Sequence, residues 1–588
     1  MKYSLFILLS FSIFSTAYTT NKIIYLGPCP RAKYVSTENN IIIGLDNPVG
    51  LNEQEINNCI TVEGTKSGIH KGAVIICEGN KKILFKPSTP FQPGETVSFT
   101  MTGNLVKSVY PWRKKYSYRF TTSLYKVCAD PTENRSFEGN YDLSSVPKER
   151  GLIQPPPLIV TINNNPSPGY LFTTPFNGYS SLVIVKNNGT PYWYQTVHSL
   201  SGDFKKQPNG DLTYYNEGTF KHYEMDINYN VVDTFYCGNG YKADIHELRV
   251  LNNSHALLMA YDTQTVDMSQ IISGGNPHAR VVGLIIQEID ENKNVVFQWR
   301  SWDHFQITDA LHENLLDSAI DAVHGNSIDT DNDGNLIISS RHLDEITKIN
   351  RTTGAIIWRF GGLNNQFTFI NDTLRFNYQH AARRISNGNI TIFDNGNFHN
   401  PPFSRAVEYS LDEQNMTATL VWQYRHDPDI FGSWGGYVQR LDGGNTLVGW
   451  GGTRPTLTEI EPSGTIVFEG SYQQNIYTYR TYKFDWNGAP IAVNGNNSEV
   501  PEAFKLNKNY PNPFNPSTTI TFDIPRASFV ELTVYDVTGR TLKHIVSEFK
   551  QPGSYSAVFD GSQYSSGLYI CRLKAGDFTA SEKMILIK

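Results

Sequence analysis

The chain has 588 residues, with 50 basic and 56 acidic side chains and a formal net charge of −6. A net charge this close to neutral argues against nucleic acid as the main partner, which would need a basic face. With 39% hydrophobic and 18% charged residues, the composition argues against long disordered tracts. Aromatic residues reach 13%, Gly and Pro number 46 and 30, and periodic helical stretches are rare. These features predict an all-β protein with many turns.

The N-terminal segment MKYSLFILLSFSIFSTAYTT places a lysine before a short apolar run that ends in small residues. This pattern is typical of a secretory signal peptide, which we place at residues 1–19. The apolar run is too short to span a bilayer and no later segment is apolar enough, so we expect no transmembrane anchor. The mature protein is therefore expected to be soluble and exported through the periplasm.

Residues 20–130 form the next predicted domain. The runs NNIIIGLD, KKILFKPS and ETVSFTMTG read as strands that are separated by turn-rich links such as PSTPFQPGE. The region resembles a bacterial Ig-like β domain. It carries no catalytic constellation, so a supporting or docking role is expected.

The six cysteines divide into an N-terminal group and two isolated residues. The N-terminal group consists of Cys29, Cys59, Cys77 and Cys128. In an oxidising compartment these four allow two disulfides, in any of three pairings. Cys237 and Cys571 are expected to be free or buried, and the absence of zinc-ligand spacing predicts no structural metal site.

The central region, residues 131–494, repeats a tight-turn dipeptide between two apolar runs. Examples are DGN before LIISSRH, NGN before ITIFDNGN and GGN before TLVGWGG. Each marks a hairpin, and most are followed by a third run and an aromatic strand such as AIIWRF. Four strands in a unit of about 40 to 55 residues indicate propeller blades, and six such units predict a six-bladed β-propeller. A long insertion at about 263–281 separates two strands of the third unit.

Histidines from three successive units should meet at one rim of the propeller channel. His246, His324 and His380 each precede a hairpin turn by a similar number of residues. A hairpin returns its second strand to the same rim, which places Arg341 near His324 and Asn395 near His380. Three imidazoles, a guanidinium and amides in one funnel would hold an oxyanion and support nucleophilic or acid–base chemistry.

Other interpretations of these residues stay open. The three histidines could be structural lining, or they could bind zinc or copper, although we predict no metal. DTDNDGN resembles a calcium loop through Asp329, Asp331 and Asp333, but its twelfth position is Ser340 instead of Glu, which favours a solvated hairpin turn. His342 is expected to point to the strand face opposite Arg341.

A polar linker at 495–503 leads into a last predicted domain, residues 504–588. The runs VELTVYDVTG, GSYSAVFDG and GLYICRLKAG alternate like half-buried strands and predict a β-sandwich. With its NYPNPFNP opening, the segment resembles the C-terminal sorting domain of the type IX secretion system. The resemblance implies the type IX machinery as a partner and a mature protein that is secreted or held at the cell surface.

Three motifs of the central region also resemble a known family. HGNSIDTDNDGNLIISSR, INRTTGAIIWRFGG and QHAARRISNGNITIFDNGN follow in the order found in bacterial arylsulfotransferases, over about 153–494. The resemblance implies a six-bladed propeller with an N-terminal β domain. It also implies transfer of a sulfuryl group from an aryl sulfate donor to a phenolic acceptor, without a cofactor, by a ping-pong route through a sulfated histidine.

The resemblance assigns roles to individual residues. It makes His380 the nucleophile, and it implies that His324 and Asn326 contact the sulfuryl or bridging oxygens. Arg341 would neutralise the sulfuryl charge. His246 would be a further donor or acid–base residue near the phenolic oxygen.

Two further residues are candidates for substrate binding. Asn395 offers an amide at the same rim, and Trp434 could stack on the aryl ring or belong to the core. The alternative to an enzyme is a non-catalytic secreted propeller that binds a surface polymer or protein. A quinone-dependent dehydrogenase is a third interpretation, but it lacks a plausible set of acidic calcium ligands.

Overall fold

A computed structural model of the protein describes residues 21–125, 155–176, 180–197, 199–490, 503–525, 528–550, 553–576 and 578–588. The predicted signal peptide, Cys128 and most of the predicted linker lie outside the described residues. Nearly every element within them is a strand, so the prediction of an all-β protein is confirmed. Among the described residues, no helix has both the length and the apolar character to cross a membrane.

The N-terminal part forms two four-stranded antiparallel sheets, β1-β2-β6-β5 and β4-β3-β7-β8. Its elements are β1 (Ile23–Gly27), β2 (Ile41–Leu45), α1 (Glu53–Asn57), β3 (Ile60–Gly64), β4 (Gly68–His70), β5 (Gly72–Cys77), β6 (Lys82–Pro87), β7 (Thr96–Thr102), α2 (Gly103–Val109) and β8 (Lys115–Thr121). Strand β7 shows why the sheets form a core, because Val97, Phe99 and Met101 alternate with polar residues and are fully buried. The strands match the predicted runs, and the Ig-like assignment stays a prediction.

The central region continues with strands that are mostly joined by short turns. The first are β9 (Ile159–Asn163), β10 (Tyr170–Thr173), β11 (Ser180–Val185), β12 (Pro191–Val197), β13 (Ser201–Lys206), β14 (Leu212–Asn216), β15 (Lys221–Met225), β16 (Val231–Phe235), β17 (Ala243–Val250), β18 (Ala256–Val266), β19 (Ala279–Ile289), β20 (Val295–Arg300) and β21 (Ala319–Asp321). The rest are β22 (Gly325–Thr330), β23 (Leu336–Ser340), β24 (Glu345–Ile349), β25 (Ile356–Gly361), β26 (Thr368–Ile370), β27 (His380–Arg384), β28 (Ile390–Asp394), β29 (Arg405–Asp412), β30 (Thr417–Tyr424), β31 (Tyr437–Arg440), β32 (Thr446–Gly449), β33 (Leu457–Ile460), β34 (Ile466–Ser471) and β35 (Thr481–Phe484). Single 3-10 turns occupy Met268–Gln270, Ser301–Asp303, Ile307–Asp309 and Arg341–Leu343.

These strands form six sheets of four or five strands each. The predicted turn dipeptides lie where expected, and Gly334 and Gly388 adopt the positive φ angles of 81° and 88° that such turns require. Two sheets join distant parts of the chain, because β35 pairs with β10 and β9 pairs with β34. Successive four-stranded sheets are the architecture of a β-propeller, in agreement with the predicted fold class. A ring of six blades stays a prediction.

The third predicted unit has a different hairpin from the one expected. Strands β18 and β19 pair along their whole length, from Ala256 with Ile289 to Val266 with Ala279. The two ends of the predicted insertion at 263–281 therefore belong to two long strands, and 267–278 forms the connection. Residues 262–265 are all polar, so no alternation of apolar and polar residues marked the strand extension in the sequence.

The C-terminal part forms a three-stranded and a four-stranded sheet, β36-β37-β40 and β39-β38-β41-β42. Its strands are β36 (Lys505–Leu506), β37 (Ser517–Ile524), β38 (Ser528–Tyr535), β39 (Thr541–Lys550), β40 (Gly553–Asp560), β41 (Gly567–Ala575) and β42 (Phe578–Leu586). Val530, Leu532 and Val534 alternate into a core shared by the two sheets, as a β-sandwich requires.

Contacts divide the chain into two compact units. The first holds the described residues of Met1–Arg135, Phe235–Pro401 and Val407–Gln423, and the second holds those of Ser136–Thr234, Pro402–Ala406 and Tyr424–Lys588.

The disulfide prediction is wrong for the described cysteines. Cys29, Cys59 and Cys77 are free thiols, so no bridge joins them to one another. The spacing of cysteines in the sequence does not fix the distances between their side chains. Cys237 and Cys571 are free and buried, as expected.

Within the first unit, the N-terminal sheets dock onto β20. The Tyr25 hydroxyl donates to the Gln298 carbonyl at 2.7 Å, and the Lys82 ammonium donates to the Val296 carbonyl at 2.8 Å. Arg300 donates from Nη2 to the Lys33 carbonyl at 2.5 Å. The side chains of Tyr25 and Lys82 thus donate hydrogen bonds to backbone carbonyls at the free edge of β20. These contacts protect that edge from pairing with another chain.

A buried carboxyl lies near this contact. Asp262 has no solvent exposure, and its Oδ1 accepts a 2.6 Å hydrogen bond from Gln264, which in turn accepts one from Ser123. Burial raises the pKa of Asp262 to about 6, although the charge of Arg300 opposes the shift. The carboxylate form therefore destabilises the folded protein.

Asp262→Asn should stabilise the protein in a pH-dependent way. Because the pKa of Asp262 is higher in the folded protein than in the unfolded chain, its favourable contribution is complete below about pH 4 and is lost as the pH rises through about 6. Asn resembles the neutral acid, so the free energy of unfolding should rise by up to about 3 kcal/mol near pH 8 and change little near pH 4. Thermal unfolding at the two pH values, with Asp442→Asn on the surface as control, measures this. An equal effect at both pH values would contradict the assignment.

Candidate active site

Three edge strands of separate sheets, β17, β22 and β27, lie side by side in the first unit. Ion pairs join them: Glu247 and Arg383 form a buried pair, and the half-buried Arg249 pairs with Asp329 at 2.7 Å. The second oxygen of Asp329 accepts the backbone N–H of Arg384 at 2.9 Å. These pairs hold the strands in a fixed lateral order and bring their N-terminal ends together.

The calcium-like loop takes part in the same packing. Lys348 lies 2.7 Å from Asp331 and 2.9 Å from Asp333, and Arg384 donates to Asp331 at 2.7 Å. The hairpin turn is confirmed, but Asp329 and Asp331 are buried in ion pairs, so the description of the turn as solvated is wrong for them. Lys348 and Arg384 thus pair with the carboxylates that a calcium ion would need as ligands.

Each of the three strands has an irregular register where its histidine lies. The pairing of β17 shifts between Ala243 and Leu248, around His246. The pairing of β22 shifts directly after His324, and that of β27 shifts directly after His380. Bulges re-aim side chains that would otherwise alternate strictly between the two faces of a sheet.

The predicted histidines His324 and His380 both lie close to His246. The ring of His246 lies 5.2 Å from that of His324 and 6.3 Å from that of His380, between ring centres. His324 and His380 are buried, and His324 has a left-handed backbone with φ of 47°. A strained backbone at a buried histidine is typical of a functional site.

Two of the histidines have carboxylate partners. His246 Nδ1 makes a short contact with Asp244, and His324 Nδ1 lies 2.6 Å from Asp321 Oδ2. Burial alone would raise the pKa of Asp321, but the imidazole of His324 lowers it to about 2. A carboxylate at Nδ1 fixes the proton there and makes Nε2 the nitrogen that accepts or delivers a proton.

Tyr261 connects two of these groups. Its hydroxyl donates to the Gly325 carbonyl at 2.7 Å and lies 3.3 Å from His246 Nδ1. Its ring centre is 5.9 Å from that of His324. Tyr261 therefore fixes His246 relative to the start of β22.

Arg341 lies beside His324, as the hairpin geometry predicts. Its backbone N–H donates to the His324 carbonyl at 2.9 Å, and its guanidinium carbon lies 4.2 Å from the ring centre of Tyr378. Residues 341–343 form a 3-10 turn instead of a strand. The prediction that His342 faces away from Arg341 is therefore wrong, because a 3-10 turn does not alternate its side chains as a strand does.

His342 is a neutral partner of Arg341. Burial lowers the pKa of His342 to about 3. Its Nδ1 donates to the Asp321 carbonyl at 2.5 Å, so its Nε2 accepts the Arg341 Nη1 hydrogen bond at 3.4 Å. Asp321 thus orients His324 through its carboxylate and His342 through its backbone.

The side-chain amide of Asn326 forms hydrogen bonds with the backbone on either side of His380. Its Nδ2 donates to the Gln379 carbonyl at 2.8 Å, and its Oδ1 accepts the Ala381 N–H at 3.3 Å. Asn326 therefore positions the nucleophile candidate, and a direct substrate contact stays a prediction.

The last two predicted residues occupy different places. Asn395 is fully buried just beyond β28, in which Phe393 is the register partner of His380. Trp434 belongs to the second unit, where its half-buried ring lies 6.1 Å from that of Tyr477. Their contacts with substrate stay predictions.

One group with metal-ligand spacing, Asp321, His324 and His342, occurs among the described residues. Both Nδ1 atoms lie at hydrogen-bond distance from oxygens of Asp321, at 2.6 and 2.5 Å. These contacts join the three residues in one hydrogen-bond network, and a site without a metal stays a prediction.

Sequence reasoning missed the residues that support the histidines. Asp244 lies two residues before His246, and Asp321 lies three before His324. An Asp two or three residues before a candidate His could have indicated a carboxylate partner. No sequence pattern indicated the roles of Tyr378 and His342, because these roles depend on a turn and on contacts between separate segments.

Comparisons with known proteins give two family matches. The model of the arylsulfotransferase (ASST) family matches residues 158–483, which contain all the histidines described above. The model of the secretion system C-terminal sorting domain matches 508–588. Arylsulfate sulfotransferase AssT of Escherichia coli O6:H1 is 34% identical over 94 residues, which cover 14% of this chain and 16% of that protein.

Solved structures show only distant likeness. The β-propeller domain of Cps50 (Swd1) from Myceliophteria thermophila is 12% identical, with a TM-score of 0.31, over 52% of this chain and 88% of that one. Selenomethionine-substituted virginiamycin B lyase from Staphylococcus aureus is 11% identical, with a TM-score of 0.27, over 73% of this chain and 94% of that one.

Asp321→Asn tests the role of the carboxylate. Without that charge, an imidazolium at position 324 is less stable, so we expect kcat for an aryl sulfate to fall at least about a hundredfold with little change in KM. The basic limb of the pH profile should move to lower pH, because the imidazolium then loses its proton more easily. Asp317→Asn, an exposed site in the same segment, is the matched control. An unchanged kcat and pH profile would contradict the orienting role.

Proposed function

The chain belongs to the arylsulfotransferase family, and on that premise we propose that it transfers a sulfuryl group from a phenolic sulfate ester to a phenol by a ping-pong route. The family match supports sulfuryl transfer as the reaction class. The observation that carries the finer proposal is that the rings of His324 and His380 lie 5.2 and 6.3 Å from the ring of His246, with Arg341 beside His324.

In the first half-reaction, a neutral nitrogen of His380 attacks the sulfur of the donor. A sulfur–nitrogen bond forms, the bond from sulfur to the phenolic oxygen breaks, and its electron pair leaves with the oxygen. Arg341 holds the charge on the sulfuryl oxygens through its planar donors. Sulfuryl transfer resembles phosphoryl transfer in needing positioning and charge stabilisation above all.

The departing phenolate needs a proton. His246 or His324 supplies it from Nε2, because the Asp partner at Nδ1 orients each ring for proton transfer through that nitrogen. That histidine is then neutral. In the second half-reaction it removes the proton of the phenolic acceptor, whose oxygen attacks the sulfur on His380. A sulfur–oxygen bond forms, the sulfur–nitrogen bond breaks, and its electron pair returns to the imidazole of His380.

The C-terminal sorting domain supports a location of this chemistry outside the cytoplasm. The domain match at 508–588 indicates secretion by the type IX system. Its machinery is the proposed partner, and the protein is proposed to be secreted or held at the cell surface after export through the periplasm.

Substitution of His380 tests the proposed reaction. With 4-nitrophenyl sulfate as donor and phenol as acceptor, His380→Ala should lower kcat/KM at least about a thousandfold, because the attacking nitrogen is lost. His380→Gly should regain part of the rate when free imidazole is added. Nitrophenol release measures both.

His255→Ala serves as the control, since His255 is a buried histidine that pairs with Glu288 away from this site. Full activity of His380→Ala would reject the mechanism. A wild-type protein that releases no phenol from any aryl sulfate would reject the enzyme and favour a non-catalytic secreted propeller that binds a surface polymer or protein.

A further inference from the structure

An exposed aromatic ring lies close to Arg341. Phe398 exposes 50% of its surface, whereas Tyr378, its neighbour, exposes only 9%. Single exposed apolar residues are common on protein surfaces and need no explanation by themselves. The contacts of Phe398 are what distinguish it.

Phe398 is stacked on one side and supported on another. Its ring lies parallel to that of His312, with 3.5 Å between ring centres and 12° between planes. It meets the ring of Tyr378 edge-on at 4.8 Å. Since the guanidinium of Arg341 covers Tyr378, a single ring separates Phe398 from the predicted sulfuryl-binding group.

The segment that carries Phe398 is braced by hydrogen bonds. The Phe398 N–H donates to Asn377 Oδ1 at 2.8 Å, and the Gly396 N–H donates to the Asn377 carbonyl at 3.2 Å. The next residue, His399, lies 3.0 Å from Asp394 through Nε2. The exposure of Phe398 therefore belongs to a fixed loop.

The supporting ring is fixed as well. His312 Nε2 lies 2.9 Å from Asp344 Oδ2, and Asp344 Oδ1 accepts the Tyr378 N–H at 2.7 Å. One carboxylate thus sets the positions of both rings that touch Phe398. A second exposed apolar side chain, Leu311, is anchored nearby, because its N–H donates to the His342 carbonyl at 3.1 Å.

We propose that Phe398 is the stacking platform for the aryl ring of the substrates, which makes flat, extended phenols and their sulfate esters the preferred substrate class. The proposal rests on the proposed function. Aromatic rings attract one another in stacked arrangements beyond the gain from burial alone, and a ring that is already immobile loses little entropy on binding. Donor and acceptor use the same platform in turn, because each must present its phenolic oxygen to the same sulfur.

The platform can be tested with two aryl sulfates of similar leaving-group acidity, phenyl sulfate and 2-naphthyl sulfate. For Phe398→Ala we expect KM for the naphthyl ester to rise about tenfold and KM for the phenyl ester to rise less, with kcat nearly unchanged, since stacking holds ground and transition states alike. Phe398→Leu, which keeps an apolar side chain without a flat face, should behave like Phe398→Ala. Phe398→Trp should restore the naphthyl KM or lower it.

Phe529→Ala is the matched control, because Phe529 exposes 51% of its surface in the C-terminal part. Unchanged KM values in Phe398→Ala, or equal increases for both esters, would overturn the platform while the transferase stands. An inactive wild-type protein would instead reject the proposed function, so the two failures are distinguishable.

Discussion

The site depends on the packing of three strands that share no backbone pairing in the described sheets. β17, β22 and β27 are edge strands, and buried contacts such as Glu247 with Arg383 hold them side by side. Removing one partner from such a pair leaves an uncompensated buried charge, which costs about 3–5 kcal/mol. The strand order is therefore strongly fixed, and with it the distances between the histidines at the strand ends.

The orientation of the histidine side chains is a second requirement for the site. The strand pairing shifts register at or directly after each histidine, and carboxylates then contact Nδ1 of His246 and His324. Asp321 joins this arrangement to Arg341 through His342. A single residue thus couples a candidate proton donor to the candidate sulfuryl-binding group.

The hairpins of the central region and the position of Arg341 could be predicted from the repeats in the sequence. Turn dipeptides such as Asp333-Gly334 located the hairpins, and the hairpin return placed Arg341 beside His324. The face of His342 could not be predicted, because residues 341–343 form a 3-10 turn instead of a regular strand. The free cysteines could not be predicted either, because disulfide pairing depends on distances that sequence spacing does not contain.

The central claim is that the sulfuryl group rests on His380 between donor and acceptor. Incubating the protein with an aryl sulfate in the absence of acceptor, quenching in base and measuring peptide masses tests this directly. The account predicts one sulfuryl group on the peptide that contains His380, and its loss when a phenol is added before the quench. Continued turnover with no sulfated peptide, or a sulfuryl group on a different residue, would contradict it.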